Sequence, residues 1–187
     1  PEIATGDAEI RRGETVLWRS DHASCRMDFA SVLFANPTIN SRLIRRSLLA
    51  QAGPFRTDVG LAGDREMMTR LARATGQRIA SGEVVYAYGS HEGSRTMAGT
   101  WGSYRAVHEA NLRLATALRG EVPAAFDRAE ADALALISAA AAARAGLMGG
   151  SPAAGAAHLL AALRAARPRT IALARRRMAL RSGSSGW

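Results

Sequence analysis

Two side chains stand in settings that suit chemistry. Asp64 follows Gly60-Leu-Ala-Gly63 and opens Asp64-Arg-Glu-Met-Met-Thr-Arg-Leu-Ala72, where Met67, Met68, Leu71 and Ala72 recur at helical spacing. An aspartate at a helix start accepts backbone N–H groups, and its charge suits the helix dipole. Held rigidly at an open edge behind flexible glycines, the same carboxylate can take a proton from a hydroxyl. His91 lies in Ser90-His-Glu-Gly-Ser94, directly after the strand-like Glu83-Val-Val-Tyr-Ala-Tyr88. A neutral imidazole there can bind a metal or a phosphate, with Glu92 or a backbone carbonyl orienting its second nitrogen. It can equally be a surface or hydrogen-bonded residue. His22, His108 and His158 lack such a setting and read as structural. Arg70 follows Glu66 at i,i+4, a spacing that favours an ion pair over the phosphate contact a guanidinium can also make. Trp101 and Tyr104 can stack on a sugar or nucleobase, or serve as packing anchors. Met67 and Met68 are core filler.

The elements that must carry these groups follow from local pattern. Residues 14–19 read as a short strand and 25–35 as a helix that Asn36-Pro37 stops, because a residue before proline avoids the helical region. Residues 38–44 are expected to be extended. Ser47 is the expected N-cap of a short helix that ends at Gly53 in the left-handed C′ position. Residues 56–63 form a loop, Asp64 opens a helix closed by Thr75-Gly76, and residues 83–88 form a strand. A polar loop then runs from Gly89 to Gly99. A helix follows over 101–118, with Val107, Leu112, Leu114, Ala115 and Leu118 as packing residues and Gly120 as its stop. An alanine-rich helix over 124–148 is broken by Gly149-Gly150. Ser151 caps a second helix with Pro152 at its first position, and Arg167-Pro168 introduces a basic third ending near Arg181. The boundary is placed at Gly120–Pro123: residues 1–120 mixed α and β, 121–181 an all-helical extension, and 182–187 a disordered tail.

Composition limits the class. The 187 residues fit one domain, or one with a small appendage, and 48% hydrophobic content with only 5% aromatic gives a core of aliphatic side chains and alanine. Cys25 is the single cysteine, which excludes an internal disulfide and a multi-cysteine zinc site and suits a reducing compartment. All 25 basic residues are arginine, consistent with the codon bias of a GC-rich bacterial genome. The net charge of +9 is uneven: no acidic residue follows Asp132, while Arg144, Arg164, Arg167, Arg169, Arg175, Arg176, Arg177 and Arg181 do. No apolar run reaches the ~18 residues of a membrane span.

In order and spacing over residues 14–118, Arg45-Arg46, Gly53-Pro54-Phe55, Asp64, Arg70-Leu71, Tyr86–Tyr88 and His91-Glu-Gly-Ser-Arg-Thr96 resemble the C-terminal half of a family 2 glycosyltransferase of the GT-A fold. The resemblance implies an α/β, Rossmann-like domain part and an inverting transfer of sugar from a nucleotide-sugar to an acceptor hydroxyl, on a carbohydrate, lipid or protein. Asp64 matches that family's catalytic base. His91 matches the histidine that helps hold a divalent metal (Mg or Mn) or the diphosphate, and Arg70, Ser94 and Trp101 are expected to meet substrate. Gly63 replaces the glutamate of the family's Glu-Asp motif, and no Asp-x-Asp occurs, since Asp7, Asp21 and Asp28 are isolated. The chain begins at Pro1, so it is expected to be cut from a longer protein whose nucleotide-binding half is missing, and not to transfer sugar alone. The rival expectation is a non-catalytic basic helical module that binds a partner protein or an anionic membrane surface. Without interleaved aromatics or a recognisable motif, nucleic acid is disfavoured. The expected location is the cytoplasm, with the basic helix peripheral to the inner face of the plasma membrane.

Overall fold

The strand Ile3–Arg12 (β1) is the one on which the sheet is built, and the sequence gives little sign of it. In a computed structural model, which describes residues 2–21, 26–35, 41–75, 78–91, 93, 99–121 and 125–183, β1 pairs with every other strand. Thr15–Arg19 (β2) returns antiparallel along Glu9–Arg12, through a two-residue turn whose Gly13 has φ 58°, the positive φ such hairpins need. Arg42–Ile44 (β3) lies antiparallel to Ile3–Thr5. Arg78–Gly89 (β4) runs parallel to β1 from Ile3 to Arg11. A strand has two edges, so β4 fills one while β3 and β2 share the other end to end. The result is a mixed four-stranded sheet with helices around it, an α/β arrangement in which helical residues predominate.

The register of β4 slips beside Gly6: Thr5 is opposite Ala80, and Asp7 opposite Val84. The extra residues let Val85 close over Gly6, where a Cβ would stand 2.5 Å from a Val85 methyl. This strand is longer than its β-forming stretch 83–88, because Ala80-Ser81-Gly82 is carried into the sheet by pairing with β1 rather than by its own propensity.

Two compact units divide the chain. The first contains residues 1–55, 64–91 and 180–187, and the second 56–63 and 92–179. In the first, the helices Phe29–Ala35 (α1), Arg46–Ala52 (α2) and Gly63–Ala74 (α3) lay Val32, Leu48, Met67, Met68 and Leu71 on Ile3 and Met27. Helix α1 starts later than its apolar pattern suggests because Asp28 caps it, accepting the Ser31 N–H at 2.8 Å. Arg45, not Ser47, occupies the N-cap of α2. Gly53 does end α2, but at φ 79°, ψ −174°, an extended conformation open almost only to glycine rather than the left-handed helical one.

The second unit holds Trp101–Glu121 (α4), Ala125–Met148 (α5), Pro152–Ala165 (α6) and most of Pro168–Gly183 (α7); α4 and α6 both pack on α5, and a 3-10 turn at Gly60–Ala62 meets α4. Helix α4, which the composition places before the boundary, packs on α5 and belongs here. Its core residues are Ala110, Leu114, Ala115 and Leu118, with His108 and Asn111, while Val107 and Leu112 are half-buried. Helix α5 ends at the two glycines: Ser151 N–H reaches back to Gly146 O at 2.8 Å and Gly150 takes φ 72°. Ser151 is the N-cap residue of α6, but its side chain makes no capping bond. Helix α7 continues to Gly183, two residues into the expected tail; Ser184–Trp187 lie outside the described residues, as do His22 and Cys25. Among the described residues one helix, Asp127–Met148 within α5, is long and apolar enough to cross a membrane. Here it is mostly buried, with Ala131, Ala133, Leu134, Ala139, Ala142 and Ala145 in the core.

Candidate functional site

Asp64 is the second residue of α3. Gly63 takes the helical start instead, so Asp64 is a first-turn acid rather than the N-cap. Among the described residues its carboxylate meets one partner, Arg42 on β3, with Nη2 3.7 Å from Oδ1. The pair is lopsided. Asp64 keeps 59% of its side-chain surface in water and Arg42 only 10%. Burial lowers the Arg42 pKa, and Asp64 pulls it back up. An ordinary arginine value lies far above neutrality, and so loose a contact with an exposed partner contributes at most about 1 kcal/mol. What the arrangement provides is a carboxylate open to solvent, carried on a helix start with a buried guanidinium nearby.

Arg70 explains why that helix start stays in place. Its Nε donates to Glu66 Oε1 at 2.7 Å and Nη2 to Glu66 Oε2 at 2.8 Å. Nη2 also donates to Pro54 O at 2.8 Å, and Nη1 to Ala52 O. The guanidinium therefore ties α3 to both sides of Gly53, and Glu66, 1% exposed, is a buried charge whose partner is bidentate. Of the two roles its spacing permits, Arg70 fills the ion pair. With its fork spent on Glu66 and two carbonyls, it positions the Asp64 helix and leaves no donor set facing a phosphate. The i,i+4 spacing signals the pair. Nothing in the sequence signals the two carbonyls, or Arg42 as the neighbour of Asp64.

His91 lies one residue past Ser90, whose N–H donates to Arg11 O at 2.7 Å and closes the end of β4. It is exposed and belongs to the same unit as Asp64. Among the described residues no three His, Cys, Asp or Glu side chains gather as a metal site. Glu92, the expected orienting partner of His91, lies outside the described residues, and no chemical step is derived through a metal. Ser94 lies outside the described residues.

Trp101 belongs to the second unit. It opens α4, meets Tyr104 edge-on with centroids 6.3 Å apart, and carries the Arg144 guanidinium 5.8 Å above its ring. Tyr104 packs in turn on buried His108 at 4.5 Å. Of the two roles open to Trp101, anchoring is the one with contacts among the described residues, to Tyr104 and Arg144. His158 is structural as well, with Nε2 3.1 Å from Glu109 Oε1.

No family model matches the chain, nor does any curated protein or solved structure.

Proposed function

We propose that this chain carries the acceptor-side part of an inverting glycosyltransferase of the GT-A type, with Asp64 as general base. The observation that carries the reading is the exposed carboxylate of Asp64 in the first turn of α3, on a helix locked by the Glu66–Arg70 fork, with Arg42 nearby. In the proposed step, Asp64 takes the proton of an acceptor hydroxyl as that oxygen bonds to the anomeric carbon of a nucleotide-sugar. The bond from that carbon to the diphosphate oxygen breaks, and the nucleotide diphosphate leaves with the electron pair. A base on this rim is solvent-accessible in the free protein and can be covered by the acceptor, as proton transfer requires. His91, in the same unit, is assigned to the diphosphate side.

The test uses the whole gene product that contains these residues. Asp64→Asn is expected to lower transfer about 10²–10⁴-fold and to leave nucleotide-sugar binding intact. Transfer at the parental rate by the Asn variant, or lost binding with unchanged chemistry, ends the assignment. The 187-residue chain alone is expected to give no turnover, and sustained transfer by it would show that no further donor-binding part is needed.

A further inference from the structure

Helix α6 packs on α5 through Gly155 and Ala162, both buried, and His158 on that side reaches Glu109. The flank next to that packed face is leucine: Leu159, Leu160 and Leu163 are 47%, 48% and 64% exposed. Leu147 and Met148, at the end of α5, are exposed too, and Leu147 lies against Gly155, one turn before Leu159. Between Pro152 and Leu163 there is no charged residue, leaving aside His158, so the ridge can enter an apolar medium without dehydrating an ion.

Helix α7 supplies the complementary half. It turns Ala174 inward and pins Arg177 to buried Glu130, with Nε 2.9 Å from Oε2. Arg169, Arg175 and Arg176 lie on the remaining exposed face, and Arg164 and Arg167 stand exposed just before the helix. The side chains of these five have no ion-pair or hydrogen-bond partner among the described residues, and the chain offers no acid after Asp132 to neutralise them. Exposed leucines, with Arg164 one turn after Leu160 on the same helix and further unneutralised arginines on the helix that follows, complement a surface that is anionic outside and hydrocarbon beneath. A nucleic acid would reward the arginines but not the leucines, and a polar protein surface neither.

We propose that α6 and α7 dock the second unit on an anionic lipid bilayer, with Leu159, Leu160 and Leu163 entering the headgroup boundary and the arginines holding acidic headgroups. The inference does not rest on the glycosyltransferase reading. It is tested by co-sedimenting the 187-residue chain with phosphatidylcholine vesicles, with and without phosphatidylglycerol. Strong binding is expected only with the anionic lipid. Arg169→Gln/Arg175→Gln/Arg176→Gln should weaken it about a hundredfold, at about fivefold per charge. Leu159→Ser/Leu160→Ser/Leu163→Ser, which keeps every charge, should weaken it at least about tenfold, with helical circular dichroism unchanged because these positions are exposed. Equal or absent binding to both vesicle types overturns the proposal. So does a leucine variant that binds like the parent and is displaced by RNA, which would mark bare polyanion adsorption. Self-association abolished by the leucine variant, without vesicle binding, assigns the ridge to a second copy and overturns it as well.

Discussion

Glu66 has almost no water around it, and Arg70 grips both of its carboxylate oxygens. Such pairs are costly to break and cheap to replace whole. Arg70→Met is therefore expected to lower unfolding free energy by about 3–5 kcal/mol, while Glu66→Leu/Arg70→Met recovers most of that loss in urea unfolding. Two independent, additive losses would contradict the coupling. Arg56 offers a contrast in water. It donates to Asp58 Oδ1 at 2.9 Å and Oδ2 at 2.5 Å, and also meets Glu121. The hydrogen bond from Arg56 holds the Asp58 carboxyl below its usual value, while those bonds to Asp58 and Glu121 raise the Arg56 pKa. The depressed acid contributes stability above its unfolded pKa of about 3.9, and that contribution fades as pH falls through the lower folded value. The raised base contributes at every pH below its unfolded value, so it adds no slope in acid. Subtracting Asp58→Asn from the parent should thus leave a stability difference that is flat above about pH 5 and shrinks below about pH 4; a difference that grows in acid would refute it. At this scale the sequence was informative where partners are near in the chain, as with Glu66 and Arg70. It was silent on Arg42 and Asp64, whose meeting is created by β3 lying beside the start of β1.

Close helix packing reverses the usual sign of a glycine substitution. At Gly146 a Cβ would stand 2.7 Å from Gly155 N and 2.8 Å from its Cα, so α5 and α6 touch backbone to backbone. Propensity alone gives alanine an advantage of about 1 kcal/mol inside a helix. Here Gly146→Ala is expected to cost about 1–3 kcal/mol instead, because backbone cannot move aside as a side chain can. Gly120 in α4 has open space around it, and Gly120→Ala should stabilise by about 0.5–1 kcal/mol. Thermal unfolding of the pair gives opposite shifts if the α5–α6 contact is right, and two stabilised variants if it is wrong. The helices themselves were legible, since Gly149-Gly150 and Arg167-Pro168 break a long alanine pattern at the observed places. Strand β1 was not, because Ile3-Ala-Thr-Gly-Asp-Ala-Glu9 has neither alternation nor β-branched density. It is extended because three other strands pair with it, a cause local pattern does not contain.

Across the molecule, the sheet ends in a liability that the composition conceals. β4 pairs with β1 along one side, and no other described strand pairs with it. Over twelve residues it carries one acid, Glu83, and one base, Arg78, while Ile79 and Val85 are well exposed. Arg19 covers Gly82 O and Ser81 accepts the Glu83 N–H, but a strand this long, unpaired by another strand on its second side and carrying exposed apolar side chains, is a template for another strand. The net positive charge does not protect it, because the excess lies beyond Asp132, on helices rather than on this edge. Reversible self-association that grows with protein concentration is therefore expected in sedimentation velocity. Ile79→Lys puts a charge on the edge at a position more than half exposed, and should shift the population toward monomer without lowering the unfolding free energy by more than about 0.5 kcal/mol. Unlike vesicle docking through α6 and α7, this association should be indifferent to Leu159, Leu160 and Leu163. A chain that stays monomeric at every concentration, or an Ile79→Lys variant that associates like the parent, would show that the edge is already guarded.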